Sequence, residues 1–195
     1  MIILTAVDTE SLMRNEIAIL QYDSRPLKQK SYWLSSALWN QHYCELHDHI
    51  FIYYTADKPC AYDSTNPLAS PWCKVKAMIQ ANEDYPQVKV FVYMDSDAVI
   101  DKYYEKLPMN TMLKVIQTRL NWDPLDKPMI FNQDGPCWWC SLIKRVGYDK
   151  CLNAGTVLWY RHENSERVLW DWWHASMDDY ATNPIKRYVI IELIE

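Results

Sequence analysis

The segment Val88 to Ile100, which reads VKVFVYMDSDAVI, constrains the fold of this chain more than any other stretch. Its apolar side chains fall on both faces of an extended strand, which is typical of a strand buried on both sides in a parallel or mixed sheet. Asp95 and Asp97 follow the apolar run directly. A carboxylate is costly to bury unless a cation or hydrogen-bond donors accompany it, so we expect both aspartates to serve a site at the strand tip.

The rest of the chain alternates apolar runs with segments of helical period. The pattern predicts strands at residues 1–8, 50–57, 88–100, 127–135 and 155–161, and helices at 10–22, 27–47, 72–86, 110–120 and 164–177. Asn110 and either Asn164 or Ser165 are the expected N-caps of the last two helices. This alternation predicts an α/β fold with a parallel or mixed sheet and helices on both faces. A length of 195 residues suits a single domain.

Aspartates end the first three predicted strands, at Asp8, at Asp57 and at the pair Asp95 and Asp97. Ligands of open α/β sheets bind beyond the carboxyl ends of the strands, so these acidic tips predict a site for Mn²⁺ or Mg²⁺. The chain has only three glycines, which excludes a Walker loop and a dinucleotide fingerprint. A metal ion would therefore replace a glycine-rich loop in neutralising a diphosphate.

The composition of the chain argues against several other classes of function. A formal net charge of −5 argues against nucleic acid as the main partner. No apolar run approaches the roughly 20 residues that span a bilayer, and the opening residues lack a basic leader, so we expect a soluble cytoplasmic protein. The six cysteines are expected to be structural thiols, because the single CWWC pair has no second pair at zinc-ligand spacing. Ten Trp and fourteen Tyr suit either surfaces that stack on sugars or bases, or an aromatic-rich core.

Two segments resemble glycosyltransferase family 34, a group of galactosyl-, mannosyl- and xylosyltransferases. The first is WCKVKAMIQANEDYPQVKVFVYMDSDAVI (72–100), in which a Trp-x-Lys opens a helix and an aromatic-rich strand runs into Asp-x-Asp-Ala. The second is NAGTVLWYRHENSERVLWDWW (153–173), in which an Asn-x-Gly strand precedes a Trp-bearing helix. The segment IFNQDG between them is similar to the family's strand that ends in Gln-Asp. The short chain is also similar to the glycosyltransferases of large chlorella viruses.

The resemblance implies a GT-A fold, in which a Rossmann-like nucleotide-binding half (1–100) and an acceptor half (101–195) form one domain. It also implies a nucleotide-sugar donor, with UDP as the nucleotide, a glycan or glycoprotein acceptor, Mn²⁺ or Mg²⁺, and retention at the anomeric carbon. By position, Asp97 would bind the metal, Asp95 would share it or hold the ribose, and Lys74 would reach the ribose or diphosphate. The edge of the nucleotide base would contact Thr5, Ala6, Val7 and Asp8. The donor sugar and the acceptor would face Asp134, Asn153 and Gly155, of which the first two are the catalytic candidates.

The chain departs from the family pattern after Trp173. The family's late Glu-Gln-Asp or Asp-Asp-Gln segment, and the late histidine that completes the metal site, are not recognisable there. Either His174 or the pair Asp178 and Asp179 takes that place, or the chain is a truncated or reordered piece.

Two other functions fit some of the same residues. A phosphotransferase of the haloacid dehalogenase type would use Asp95 as its nucleophile, although such enzymes usually place this strand near the N-terminus and follow it with a glycine-rich flap. A non-catalytic carbohydrate-binding module would account for the many Trp and Tyr residues. It would not account for the aspartates at the strand ends.

Overall fold

One mixed β-sheet organises the protein in a computed structural model, which describes residues 14–25, 30–55, 60, 70–133 and 152–175. Its strands are β1 (Ile17–Asp23), β2 (Ile50–Thr55), β3 (Val90–Asp95), β4 (Met129–Gln133) and β5 (Leu152–Tyr160). The α-helices are α1 (Tyr32–His47), α2 (Ser70–Asp84), α3 (Met109–Leu120) and α4 (Glu163–His174), and 3₁₀ turns lie at Arg14–Glu16 and Lys102–Tyr104. This arrangement confirms the predicted single-domain α/β fold with a mixed sheet. None of the described helices is long and apolar enough to cross a membrane.

The strand order in the sheet is β2-β1-β3-β5-β4. Strand β1 pairs in parallel with β2 and β3, whereas β5 is antiparallel to β3 and β4. The register places Tyr22 opposite Tyr54 on one side and opposite Asp95 on the other. The carboxyl ends of the three parallel strands therefore lie together, at the edge where α/β sheets bind ligands.

Strand β1 corrects the prediction of a helix over residues 10–22. All seven residues of Ile17–Asp23 are buried in the middle of the sheet. A strand buried on both faces has apolar residues at successive positions, and such a short run cannot be told from a buried helix by its spacing. Strand β1, which lies between β2 and β3 in the sheet, ends at Asp23. Asp8 and Asp57, the predicted ends of two other strands, lie outside the described residues.

Helices cover both faces of the sheet. Successive residues of β1 belong to opposite core clusters, because side chains alternate across a strand. In one cluster Met78 of α2 and Leu169 of α4 pack with Trp159 of β5. In the other, Tyr43 of α1 and Leu113 of α3 pack against the opposite face. Burial of each such side chain contributes about 1.5–3 kcal/mol, so packing on both faces holds the strand tips in place.

Two helices begin at residues other than the predicted caps. Pro108 rather than Asn110 is the N-cap of α3. His162 is the N-cap of α4, where its Nδ1 accepts the N–H of Asn164 over 3.2 Å and its own N–H donates to Ser165 Oγ over 3.1 Å. Neither proline nor histidine is among the residues that N-cap preferences favour, so the sequence pattern pointed to the nearby Asn and Ser residues instead.

The cysteines also differ from expectation. Cys60 and Cys73 form a disulfide across 13 residues, so the prediction of structural thiols is wrong for this pair. The bond depends on the Cα atoms of Cys60 and Cys73 lying 5.5 Å apart, which spacing along the chain does not reveal. Cys44 is a free, buried thiol, and burial raises the pKa of Cys44 to about 12, so it packs as a small apolar residue. The cysteines outside the described residues are Cys137, Cys140 and Cys151.

Candidate functional site

A cavity of about 440 Å³ lies at the carboxyl ends of β1 and β3. Its walls come from these strand ends, from the turns that follow them, and from the first turns of α1 and α2. The lining residues are Tyr22, Asp23, Ser24, Arg25, Tyr32, Lys74, Tyr93, Asp95, Ser96 and Asp97. The volume falls within the range of small-molecule sites. Three residues predicted from the sequence therefore share one cavity: Lys74, Asp95 and Asp97.

Asp95, the last residue of β3, has one carboxylate oxygen held by two donors. Lys74 Nζ donates to Asp95 Oδ1 over 2.9 Å, and the Tyr93 hydroxyl donates to the same oxygen over 3.0 Å. Lys74 also donates to the carbonyl oxygen of Ala154 over 3.1 Å, which ties α2 to β5. Burial and the neighbouring Asp95 charge raise the pKa of Tyr93, so its hydroxyl keeps its proton. Asp95 Oδ2 makes no hydrogen bond within the described residues.

Asp97 lies in the turn after β3 and is exposed. Its carboxylate has no hydrogen bond or ion pair in the part of the chain that the structure describes. The two aspartates thus line the same cavity in different states. Asp95 is oriented by protein donors, whereas Asp97 is open to solvent and to ligands.

Two buried amides hold the turn after β3. Gln21 Nε2 donates to the carbonyl oxygens of Asp95 over 3.0 Å and Ala98 over 3.2 Å. Asn40 Nδ2 donates to Ala98 O over 2.9 Å, and Asn40 Oδ1 accepts the N–H of Ile100 over 3.0 Å. Both amides are 0% exposed. Neither amide was predicted as a positioning residue. A polar amide within an apolar run could have indicated such a role, because a buried amide needs hydrogen-bond partners.

Asp23, at the tip of β1, forms a bidentate pair with Arg25. Arg25 Nε donates to Asp23 Oδ1 over 2.8 Å, and Nη2 donates to Oδ2 over 2.5 Å. The guanidinium carbon lies 4.1 Å from the ring centroid of Trp33 and 5.2 Å from that of Tyr32. Burial alone would raise the pKa of Asp23, but hydrogen bonds from Arg25 and Ser96 outweigh it and hold that pKa below its ordinary value. The pair therefore stays ionised at neutral pH and forms a rigid wall of the cavity.

The Asn-x-Gly motif of β5 lies beside Asp95. The N–H of Gly155 donates to Asn153 Oδ1 over 2.6 Å. A Cβ on residue 155 would lie 2.7 Å from Asn153 Oδ1 and 3.1 Å from Asp95 Oδ2, which is closer than ordinary contacts. A larger residue at 155 would therefore require the Asn153 or the Asp95 side chain to shift from its present position. The fold brings Asn153 and Gly155 next to Asp95 and Lys74.

Of the other predicted site residues that the structure describes, Asn153, Gly155 and His174 are not among those that line this cavity. His174 is the exposed last residue of α4, its Nδ1 lies 2.7 Å from Trp170 O, and it does not line the cavity. Among the described residues, no three His, Cys, Asp or Glu side chains form a cluster that could hold a metal ion. The predicted residues outside the described part of the chain are Thr5, Ala6, Val7, Asp8, Asp134, Asp178 and Asp179.

Comparison with known proteins gives matches at the level of family and of fold. The galactosyl transferase GMA12/MNN10 family matches residues 14–188, a range that contains both Asp-x-Asp and Asn-x-Gly. The crystal structure of a glycosyltransferase involved in the glycosylation of the major capsid of PBCV-1 is similar, with a TM-score of 0.62 and 18% identity over 92% of this chain and 75% of that chain. At that identity the likeness shows the fold alone. A comparison with curated protein sequences finds no match.

Proposed function

The chain belongs to the galactosyl transferase GMA12/MNN10 family, and from this premise we propose that it transfers a sugar from a UDP-sugar to a glycan or glycoprotein, with Mn²⁺ or Mg²⁺ and with retention of configuration. Family membership makes the chain a glycosyltransferase, so a phosphotransferase with Asp95 as nucleophile and a non-catalytic module are no longer needed to explain its residues. The observation that carries the proposal is the cavity where Asp95, Asp97 and Lys74 meet at the ends of β1 and β3.

The donor atoms in this cavity suit a hard divalent cation. Asp95 Oδ2 and the Asp97 carboxylate have no hydrogen bonds within the described residues, and Mg²⁺ and Mn²⁺ prefer carboxylate and water oxygens. We assign Asp97 as a metal ligand and Asp95 as the residue that shares the ion or holds the ribose. His174 lies outside this cavity, against Trp170, so its role as a further ligand stays a prediction that the cavity does not support. The bound ion would neutralise the diphosphate and stabilise the negative charge that develops on it as the sugar leaves.

Lys74 and the β5 motif would position the rest of the donor. The Lys74 ammonium is fixed between Asp95 and Ala154 on the cavity wall, where it can donate to a ribose hydroxyl or a phosphate oxygen. It supplies part of the positive charge that a glycine-rich loop provides in other nucleotide-binding proteins. Asn153 and Gly155 stand on the β5 side of Asp95, and we place the donor sugar there. Asp134 and Asn153 remain the catalytic candidates, and residues 5–8 remain the candidates for the edge of the base.

A glycoprotein is the first class of acceptor to test. The solved structure that resembles this chain belongs to a protein involved in the glycosylation of a viral capsid. That role belongs to the other protein, and it supports the acceptor class here only as an analogy.

Thermal unfolding tests the proposed donor site. UDP with Mn²⁺ should raise the melting temperature, because a ligand that binds only the native state stabilises it by about 2.7 kcal/mol at 100 times its Kd. UDP with EDTA, and Mn²⁺ alone, are the matched controls and should leave the melting temperature nearly unchanged. Equal stabilisation by UDP in EDTA would contradict a metal-dependent site. A screen of nucleotide sugars for metal-dependent hydrolysis then identifies the donor.

A further inference from the structure

A second cavity, of about 150 Å³, lies between α2 and α4. It is lined by Ile79, Asn82, Glu83, Glu166, Leu169 and Trp170. None of these residues lines the cavity at the strand ends. Along α2, Asn82 lies roughly 12 Å from Lys74, at 1.5 Å of rise per residue. The two cavities are therefore separate sites on the described surface.

Trp170 supplies an aromatic surface to this cavity. It is 40% exposed and is the one tryptophan classed as exposed in the described part of the chain, whereas Trp159 and Trp173 are buried in the core. Lys76 Nζ lies 5.6 Å from the Trp170 ring centroid, a cation–π contact that helps to hold the indole in place. The His174 ring centroid also lies 5.7 Å from that of Trp170, so a ligand ring would stack on the exposed remainder of the apolar indole surface.

Asn82 supplies a hydrogen-bond donor in a fixed orientation. It is only 9% exposed, and its Oδ1 accepts Trp159 Nε1–H over 3.1 Å. Because an indole N–H can only donate, the amide oxygen must face Trp159 and Nδ2 must lie on the other branch of the amide. Nδ2 makes no hydrogen bond within the described residues, although Asn82 lines the cavity. Asn82 Nδ2 is not among the buried side-chain atoms that lack a partner, so water reaches it, and a ligand oxygen in the cavity can take the place of that water.

Glu83 and Glu166 supply acceptors at the rim. Both are exposed, and neither carboxylate forms a salt bridge within the described residues. One amide donor, two carboxylate acceptors and an indole face match a sugar ring, whose hydroxyls both donate and accept and whose C–H face is apolar. An organic cation would also suit the indole and the carboxylates, but it carries no acceptor for Asn82 Nδ2, whereas a sugar hydroxyl does.

We propose that the cavity between α2 and α4 binds one pyranose unit of a saccharide. The sugar ring stacks on Trp170, one of its hydroxyls accepts from Asn82 Nδ2, and other hydroxyls donate to Glu83 and Glu166. The site holds a glycan away from the donor cavity and takes no part in bond-making. This proposal depends on the proposed function in one respect: the saccharide that binds here would be an acceptor or a product of the sugar transfer.

Saturation-transfer NMR tests this site in the absence of nucleotide and metal. The probes are the methyl glycosides of galactose, mannose, glucose and xylose, with tetramethylammonium as the competing ligand class. At least one glycoside should bind with a Kd of about 10 mM or tighter. Trp170→Ala should weaken that binding at least about tenfold, because it removes the stacking surface. Glu83→Gln should weaken it about threefold, because it replaces a charged acceptor with a neutral one.

Tyr103→Ala is the matched control, since Tyr103 is an aromatic residue that is 94% exposed and lies outside both cavities. Its glycoside binding should equal that of the unchanged protein. If Trp170→Ala lowers the melting temperature, its effect on binding is set aside and Glu83→Gln alone tests the proposal. That variant removes a charge but keeps the size of the side chain. The proposal is overturned if no glycoside binds, if both variants bind as tightly as the unchanged protein, or if only tetramethylammonium binds. The UDP and Mn²⁺ thermal shift, measured separately on each variant, reports on the donor site and keeps the two proposals distinguishable.

Discussion

At the scale of single residues, the carboxylate of Asp97 is exposed and has no hydrogen bond or ion pair among the described residues. We predict that Asp97→Asn folds with an unchanged or higher melting temperature, because it removes a charge that has no partner among the described residues. Metal-dependent sugar transfer should fall at least about 100-fold, because an amide does not replace the charge that holds the ion. Thermal unfolding and donor hydrolysis measure the two effects. Transfer at the rate of the unchanged protein would refute the assignment.

Gly155 gives a second prediction at this scale. Gly155→Ala places a methyl group 2.7 Å from Asn153 Oδ1 and 3.1 Å from Asp95 Oδ2, so one of these side chains must move. We expect a loss of about 1–3 kcal/mol in the free energy of unfolding, as for other overpacked sites, together with a weaker UDP and Mn²⁺ thermal shift. Thr156→Ala, at the next position of β5, is the control and should keep that shift. An unchanged shift in Gly155→Ala would show that the close approach of β5 does not matter for donor binding.

Asp23 gives a prediction on pH. Its pKa in the folded protein lies below the ordinary value of about 3.9, because Arg25 and Ser96 donate to it. Its stabilising contribution is therefore complete above about pH 4 and is lost as the pH falls through the lowered folded pKa. Asp23→Asn should lower stability at neutral pH and flatten the decline in acid, which denaturant unfolding from pH 7 to pH 2 would reveal. If Asp23→Asn loses stability in acid to the same extent as the unchanged protein, Asp23 is not the source of that loss.

At the scale of elements, the turn after β3 depends on α1 as well as on its own strand. Asn40→Ala should reduce the free energy of unfolding by about 1–3 kcal/mol, because Ala98 O and the N–H of Ile100 lose a buried partner. It should also raise the Kd for UDP with Mn²⁺, because the turn that carries Asp97 is then less well held. Gln41→Ala, which alters only an exposed contact with Glu45 on the same helix, should stay within about 0.5 kcal/mol. Denaturant unfolding and UDP titration distinguish the two variants.

At the scale of the whole molecule, the disulfide links Cys60 to Cys73 of α2, one residue before Lys74. Reduction should lower the free energy of unfolding by about 3 kcal/mol, because it frees a loop of this length in the unfolded chain. UDP and Mn²⁺ should still bind, since Lys74 keeps its bonds to Asp95 and Ala154. Unfolding with and without dithiothreitol measures the effect, and the double variant Cys60→Ser, Cys73→Ser should behave as the reduced protein does under both conditions. Equal stability with and without the reductant would show that the bond contributes nothing.

The disulfide also bears on the compartment in which the protein works. Such bonds persist mainly in oxidising compartments. The cytoplasmic location expected from the opening residues stays a prediction, and the bond weighs against it.

Much of the fold and part of the site followed from the sequence. The apolar run of β3 and the helical spacing of α2 each lie within one element, so side-chain spacing was enough to identify them. The Asn-x-Gly of β5 was identified through its resemblance to the family motif. The helix predicted over residues 10–22 was wrong where β1 lies. That error hid Gln21, which was placed on a helix, and also Asp23 and Arg25, because residues that follow a helix are not expected at the tip of an interior strand.

The sequence by itself predicted which elements carry the candidate residues. These are β3, which ends at Asp95 just before Asp97, α2, which has Lys74 near its start, and, through the family resemblance, the segment of Asn153 and Gly155. Only the tertiary structure decided that these groups meet. The strand order β2-β1-β3-β5-β4 sets Gly155 against Asp95 and brings Gln21, 74 residues away in sequence, beneath the same turn. The physical reason is that periodicity reports burial within one segment, whereas a site depends on contacts between segments whose pairing the packing of the whole core selects.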